Sequence, residues 1–202
     1  MWGAPLKWVN AFLPASTYAE SPCGVGNLCP EGGDLPEHAE YGPNQIPLFH
    51  DYEIALKYAQ ENKKPLVIDF TGHACVNCRK MENNVWVDEK VRQILSDDVV
   101  VVSLYVDEKT TLPEHEHYVS KISGKTINTV GKKWSDFQIE RYQSNTQPQY
   151  FILDNYEGSL NGSANYQDHG TPEKFQNWLK EGIKRFEMFN GSKQVKPALA
   201  KQ

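Results

Sequence analysis

Long apolar runs are missing from this 202-residue chain, and no stretch approaches the roughly 18 to 20 residues a membrane-spanning helix needs. The chain is therefore not expected to cross a bilayer itself. Cysteine is scarce: four residues cannot staple a protein of this size, so a cysteine pattern here reads as chemistry. An excess of positive charge is also lacking. With 21 basic against 26 acidic residues the net charge is −5, which argues against a nucleic-acid partner. Aromatics, by contrast, are plentiful, with 10 Tyr, 8 Phe and 5 Trp. They can fill a core, which excludes a wholly disordered chain or a collagen-like fibre.

Composition changes near residue 45. Residues 1–50 hold seven of the 12 prolines and one basic residue, Lys7, against five acids. Proline fixes φ and removes a donor, so residues 14–47 are expected to run as an extended, acidic linker without a core of their own. Residues 2–13 are apolar, with Trp2 and Trp8. They fit either a segment docked on the domain or an interfacial one at headgroup level. The expected division is 1–47 as juxtamembrane segment and linker, 48–190 as the domain and 191–202 as a tail.

From residue 50 the periodicities alternate. Asp51 can cap a helix with Ile54, Ala55, Tyr58 and Ala59 on one side, ending before Pro65. Residues 66–70 and 99–106 are short apolar runs of buried-strand type. Helical spacing from Cys75 to Leu95 joins them, a βαβ unit with parallel strands. Residues 107–133 read as an excursion containing a hairpin, Tyr118–Ile122 with Thr126–Val130, that could border the active face and select partners. A helix follows from Trp134 to about Asn145, then a strand at 149–153 and a turn at 155–158 toward a last short strand. Thr171-Pro172-Glu173 opens a helix whose Phe175, Trp178, Leu179, Ile183 and Phe186 share a face. Asn190-Gly191 is expected to end it. The order is βαβαββα after a leading helix, that of an α/β thioredoxin-like fold with a central mixed β-sheet flanked by helices.

Cys75-Val76-Asn77-Cys78 follows the first of these strands directly. That placement sets the first sulfur at a helix N-terminus, where free N–H groups and the helix dipole stabilise a thiolate. Cys75 is then the attacking sulfur, and Cys78, one turn on, resolves the mixed disulfide. A C-x-x-C pair is also half of many zinc sites. Its second half would have to come from Cys23 and Cys29 or from His115 and His117, and neither spacing is common for zinc. Asp69, inside an apolar strand, reads as a raised-pKa proton acceptor beneath the sulfurs or as an acid hydrogen-bonded at the strand end. Glu82 shares a helix face with Cys78 and could relay its proton, or it could be a solvated surface acid. Arg79 and Lys80 add positive charge nearby or point into water. Cys23 and Cys29 could close a small disulfide loop or remain free thiols.

Residues 64–82, Lys-Pro-Leu-Val-Ile-Asp-Phe-Thr-Gly-His-Ala-Cys-Val-Asn-Cys-Arg-Lys-Met-Glu, resemble the active-site segment of the thioredoxin-like C-terminal domain of DsbD-type thiol:disulfide interchange proteins. Val-Trp at 85–86, Leu-Tyr-Val-Asp at 104–107 and Gln-Pro-Gln-Tyr at 147–150 fit the same family. Residues 2–14 resemble the exit of that family's last membrane helix. The resemblance implies a periplasmic reductase, tethered to the inner membrane in a longer protein. A membrane-embedded domain would donate electrons, and periplasmic disulfide-bearing or thioredoxin-like proteins, some serving cytochrome c biogenesis, would accept them. It implies catalytic roles for Cys75, Cys78, Asp69 and Glu82, and a cis-proline substrate loop at Gln147 and Pro148. No metal or organic cofactor is implied, because a redox-active Cys75–Cys78 disulfide carries the electrons. The aromatic residue usual before the first cysteine is replaced by Ala74, which leaves His73 at the rim as a substrate-contact candidate. Two alternatives stand: an oxidase or isomerase on the same fold, and a non-catalytic module with a metal-bound C-x-x-C.

Overall fold

A computed structural model describes residues 35–194. Trp2, Trp8, Cys23, Cys29 and the far end of the expected tail lie outside the described residues.

The centre of the molecule is β3 (Leu66–Thr71), a run whose six residues are all buried. It pairs in parallel with β4 (Val100–Tyr105) and antiparallel with β7 (Gln149–Leu153). The sheet is completed by β8 (Ala164–Asn165) beyond β7, and by β2 (Pro47–Phe49) and β1 (Glu40–Tyr41) beyond β4. The order is β1-β2-β4-β3-β7-β8. It is a mixed sheet, because β1, β7 and β8 run against their neighbours.

Alternate residues of a strand face opposite sides, so each strand feeds two cores. On one side Leu66, Ile68 and Phe70 pack with Val100, Val102 and Leu104 against α1 (Tyr52–Asn62) and Trp134 of α4 (Val130–Tyr142). On the other, Val67, Val101 and Ile152 meet Met81 of α2 (Val76–Asn84), Val91 of α3 (Glu89–Gln93), and Phe175, Trp178 and Leu179 of α6 (Pro172–Gln194). Helices thus cover both faces, the arrangement a sheet with two apolar faces requires. A one-turn helix, α5 (Tyr166–His169), precedes α6.

Several elements match their sequence signals. The Asp51 carboxylate caps α1 by accepting from the Ile54 N–H at 3.1 Å. The hairpin of the excursion is present as β5 (Tyr118–Val119) and β6 (Thr126–Ile127), with Tyr118 opposite Ile127.

Other expectations are corrected. The folded unit does not begin at residue 48: β1 and β2 extend the sheet, and Ile46 is fully buried. Strands of two and three residues are too short to show an alternation. In α1 the buried face is Tyr52, Ala55, Leu56 and Ala59, while Ile54 is exposed. The continuous helix expected from Cys75 to Leu95 breaks at residues 85–88, where the Asp88 carboxylate caps α3 through Lys90 and Val91. The helix expected from Trp134 starts at Val130, with Thr129 as its cap. α6 continues past Asn190-Gly191 to Gln194.

Candidate active site

β3 delivers the chain to its functional end. After Thr71 the backbone turns through Gly72, His73 and Ala74 into Cys75, which is the N-cap of α2. The Cys75 Sγ accepts a hydrogen bond from the Cys78 N–H at 3.2 Å. That is one of the N–H groups a helix leaves unpaired at its first turn, aimed at the sulfur as the sequence reading requires. Cys75 and Cys78 form a disulfide with a Cα–Cα separation of 5.3 Å. Their surroundings differ: Cys75 is partly exposed, whereas Cys78 is buried. Only the first of the two is open to solvent.

Where β3 meets α2, the helix that carries Cys78, lies a cluster of buried charge. Asp69 shares its sheet face with Val67 and points toward α2. Its Oδ2 accepts from the Ser103 hydroxyl at 3.0 Å, across the β3/β4 register. Arg79, which follows Cys78 on α2, is buried rather than solvated and lies 2.7 Å from the Glu82 carboxylate, itself buried. Arg79 Nη2 also donates to Thr71 Oγ1 at 3.5 Å. Burial pushes the Asp69 carboxyl up to about 7, against the pull of Ser103 and Arg79. Burial likewise pushes Glu82 up to about 8; Arg79 opposes this and the Asp69 charge adds to it. Burial sets both directions, and one guanidinium shared between two acids does not reverse it. With both carboxylates ionised the cluster carries a buried −1, and a single proton makes it neutral.

The other expected site residues lie at the same end of the sheet. In the β3/β7 register Gln149 is opposite Phe70, which sets Gln147 and Pro148 beside the strand end that leads to Cys75. The Gln147–Pro148 peptide is cis, Pro148 is buried, and Gln147 is partly exposed. His73, on the other flank, is exposed, stacks on the Tyr105 ring with centroids 4.2 Å apart, and places Nε2 2.8 Å from Glu108 Oε2.

Several contributors were not singled out from sequence. Gln138 of α4 is fully buried and ties the Pro148 loop on both sides. Its Nε2 donates to Thr146 O and Gln149 Oε1, and its Oε1 accepts from Gln147 Nε2. Asp107 accepts from the N–H groups of His73 and Ala74 at 2.8 and 3.0 Å. Asp107 and Glu108 could have been found, since parallel pairing of 66–70 with 99–106 puts whatever follows the second strand beside whatever follows the first. Gln138 carried no such signal. His115 and His117 are not brought to the cysteines: His117 Nε2 pairs with Leu112 O, and His115 faces Glu116. No group of three or more His, Cys, Asp or Glu suited to a metal ion occurs among the described residues.

An α/β sheet of this order, with a disulfide-forming C-x-x-C at a helix start and a cis-proline beside it, defines the thioredoxin-like class. Residues 48–123 match the model of a family described as thioredoxin-like. The match takes in β3, the cysteine pair and β4, and ends before the Pro148 loop. Among solved structures, a DsbH oxidoreductase superposes with a TM-score of 0.50 at 16% identity, covering 77% of this chain and 94% of that one. A thioredoxin from Thermus thermophilus is 21% identical, covering 67% and 85%, with a TM-score of 0.47. The oxidised DsbD C-terminal domain of Neisseria meningitidis is 19% identical, covering 67% and 98%, with a TM-score of 0.38. No curated protein sequence matches the chain. This protein therefore has the thioredoxin-like fold, with a Cys75–Cys78 disulfide at the start of α2. Among the described residues no helix is long and apolar enough to cross a membrane.

Proposed function

We propose that this protein is a thiol–disulfide oxidoreductase that works as a disulfide reductase. The reduced Cys75 thiolate attacks one sulfur of a partner's disulfide, forming a mixed disulfide and expelling the partner's other sulfur, which takes a proton from solvent. Cys78 then gives its proton to the Asp69–Glu82 pair and attacks Cys75 Sγ. The partner's remaining sulfur leaves and receives that proton. Two electrons pass to the partner, which gains two thiols, while Cys75–Cys78 becomes the disulfide.

The observation that carries this reading is the asymmetry of the pair: an accessible Cys75 held by a helix N–H, and a buried Cys78 beside acids that can hold a proton at neutral pH. Gln147, Pro148 and His73 flank Cys75 and are assigned to substrate contact. The sulfurs carry the electrons, so the proposed reaction uses no metal or organic cofactor. The resemblance to DsbD-type domains supports a periplasmic setting, with a membrane-embedded donor returning electrons to Cys75–Cys78 and periplasmic proteins receiving them.

The test is trapping. Cys78→Ser should accumulate covalent partners in a periplasmic extract, and Cys75→Ser should lose insulin reduction. A Cys75→Ser variant as active as the parent, with no trapped partner, would end the proposal.

A further inference from the structure

The residues that follow β4 fold back over the end of β3. The Val106 N–H donates to Thr71 O at 3.0 Å, and the next two side chains are acids facing the turn that leads into Cys75. Asp107 Oδ1 and Oδ2 accept from the consecutive His73 and Ala74 N–H groups, the last two before the cysteine. Glu108 Oε1 accepts from the Thr110 N–H and hydroxyl at 2.9 Å each, and Oε2 reaches His73 Nε2. These bonds, led by the Thr110 N–H, hold the Glu108 carboxyl down at about 2. The loop is clasped from behind as well: Gly131 N–H donates to Glu108 O at 3.0 Å, and a side chain at Gly131 would meet the Glu108 backbone at 2.5 Å. At Gly72 a side chain would meet the Asp107 carboxylate at 3.1 Å.

We propose that Asp107 and Glu108 hold the Cys75–Cys78 couple on its reducing side. The inference rests on the reductase reading and adds direction to it. A disulfide is neutral, whereas the reduced pair carries a negative charge when Cys75 is a thiolate. The α2 terminus stabilises that charge, and carboxylates fixed at the same terminus oppose it. A strong oxidant of this fold class is one whose reduced form is stabilised; destabilising the reduced form makes a better donor.

Two of the cations nearby are engaged elsewhere. Arg79 is taken up by Glu82 and Thr71, and Lys80 lies over the Tyr166 ring at 5.7 Å. His73 faces Glu108, Tyr105 stacks on His73, and Asp69 and Glu82 lie beneath as further acids. Asp107 and Glu108 are positioning residues in this scheme: they act on the charge of Cys75 and touch no reacting atom.

The experiment equilibrates the chain with glutathione buffers and reads the ratio of dithiol to disulfide at Cys75–Cys78 for the parent, Asp107→Asn, Glu108→Gln and the double variant. Each single variant should raise that ratio about three- to tenfold, tenfold being about 30 mV. The double variant should raise it further, and the differences should shrink in high salt. The thiolate of Cys75, followed by its absorbance, should persist to lower pH in the variants. A purely structural cap predicts no such movement, since a loosened turn does not favour the thiolate. Glu53→Gln, on the exposed face of α1, should leave the ratio unchanged. Unchanged or lowered ratios in the Asp107 and Glu108 variants, with a parent that equilibrates normally, overturn the inference alone. A parent that fails to exchange with glutathione overturns the reductase reading and this inference together.

Discussion

Arg79 and Glu82 face each other at 2.7 Å, one helical turn apart, with less than a tenth of either side chain exposed. Removing one member of a buried pair strands the other charge, whereas replacing both with apolar side chains costs little. Glu82→Leu, which leaves a guanidinium that cannot shed its charge, should therefore destabilise the oxidised protein by about 3 to 5 kcal/mol, and Arg79→Met with Glu82→Leu should recover most of that loss. Urea unfolding of the two variants and Arg79→Met closes the cycle. Equal losses in the single and double variants would contradict the pairing.

The two raised acids make stability depend on pH in a defined sense. Asp69 and Glu82 bind their protons more tightly folded than unfolded, so between about pH 4 and 8 the native state holds more protons. Stability then falls as pH rises through that window, and the contribution is fully present only below the ordinary carboxylate range. Asp69→Asn should remove its share, flattening the curve by roughly 2 to 4 kcal/mol between those limits. Denaturant midpoints at pH 4, 6 and 8 measure it, and parallel curves for parent and variant would refute it.

Gln138 gives the Pro148 loop its backing. Gln138→Leu leaves Thr146 O, Gln147 and Gln149 without their shared amide, costing about 1 to 3 kcal/mol. On the proposed reading it should raise KM for insulin severalfold while kcat stays within about twofold, because the loop is displaced and the sulfurs are not. An unchanged KM would show that the loop keeps its place without the amide.

The excursion is fastened to α4 at one carboxylate. Asp136 is buried and accepts from Ser120 Oγ at 2.5 Å and from the Tyr118 hydroxyl at 3.1 Å. Asp136→Ala should speed amide hydrogen exchange across residues 118–127 by at least about tenfold, the two lost hydrogen bonds being worth about 1 kcal/mol each. Burial and Asp136 together push the Tyr118 hydroxyl up to about 12; without Asp136 its titration should move back toward the ordinary tyrosine value. Exchange mass spectrometry and ultraviolet titration check the two effects.

What was legible before the coordinates follows from range. The buried runs at 66–70 and 99–106, the Asp51 and Thr171-Pro172 helix starts and the cysteine spacing are local patterns, and each has a local physical cause. They were enough to pair β3 with β4 in parallel and to find both sulfurs, but not to find β1 and β2 at the edge of the sheet. Arg79 was not legible, because a cation after a C-x-x-C on a polar helix face looks solvated. Its burial is decided by Glu82 on the same helix and by β3 and β4 underneath. Gln138 is eleven residues from Gln149 and has no motif. The break at residues 85–88 was missed although Asp88-Glu89 is an ordinary helix start, because Val85, Val91 and Leu95 keep a helical period across it.

The central position of β3 has a mechanical meaning. It is held by a ladder on each edge, so the strand that leads to Cys75 is tied on both sides and has little freedom to travel. On the proposed reading, the bond to be opened must be carried to Cys75 by the other protein. On that view, client disulfides in pliant loops exchange readily and the same bond locked in a stiff hairpin is passed over, so selection is exercised through the client's suppleness as much as through its surface.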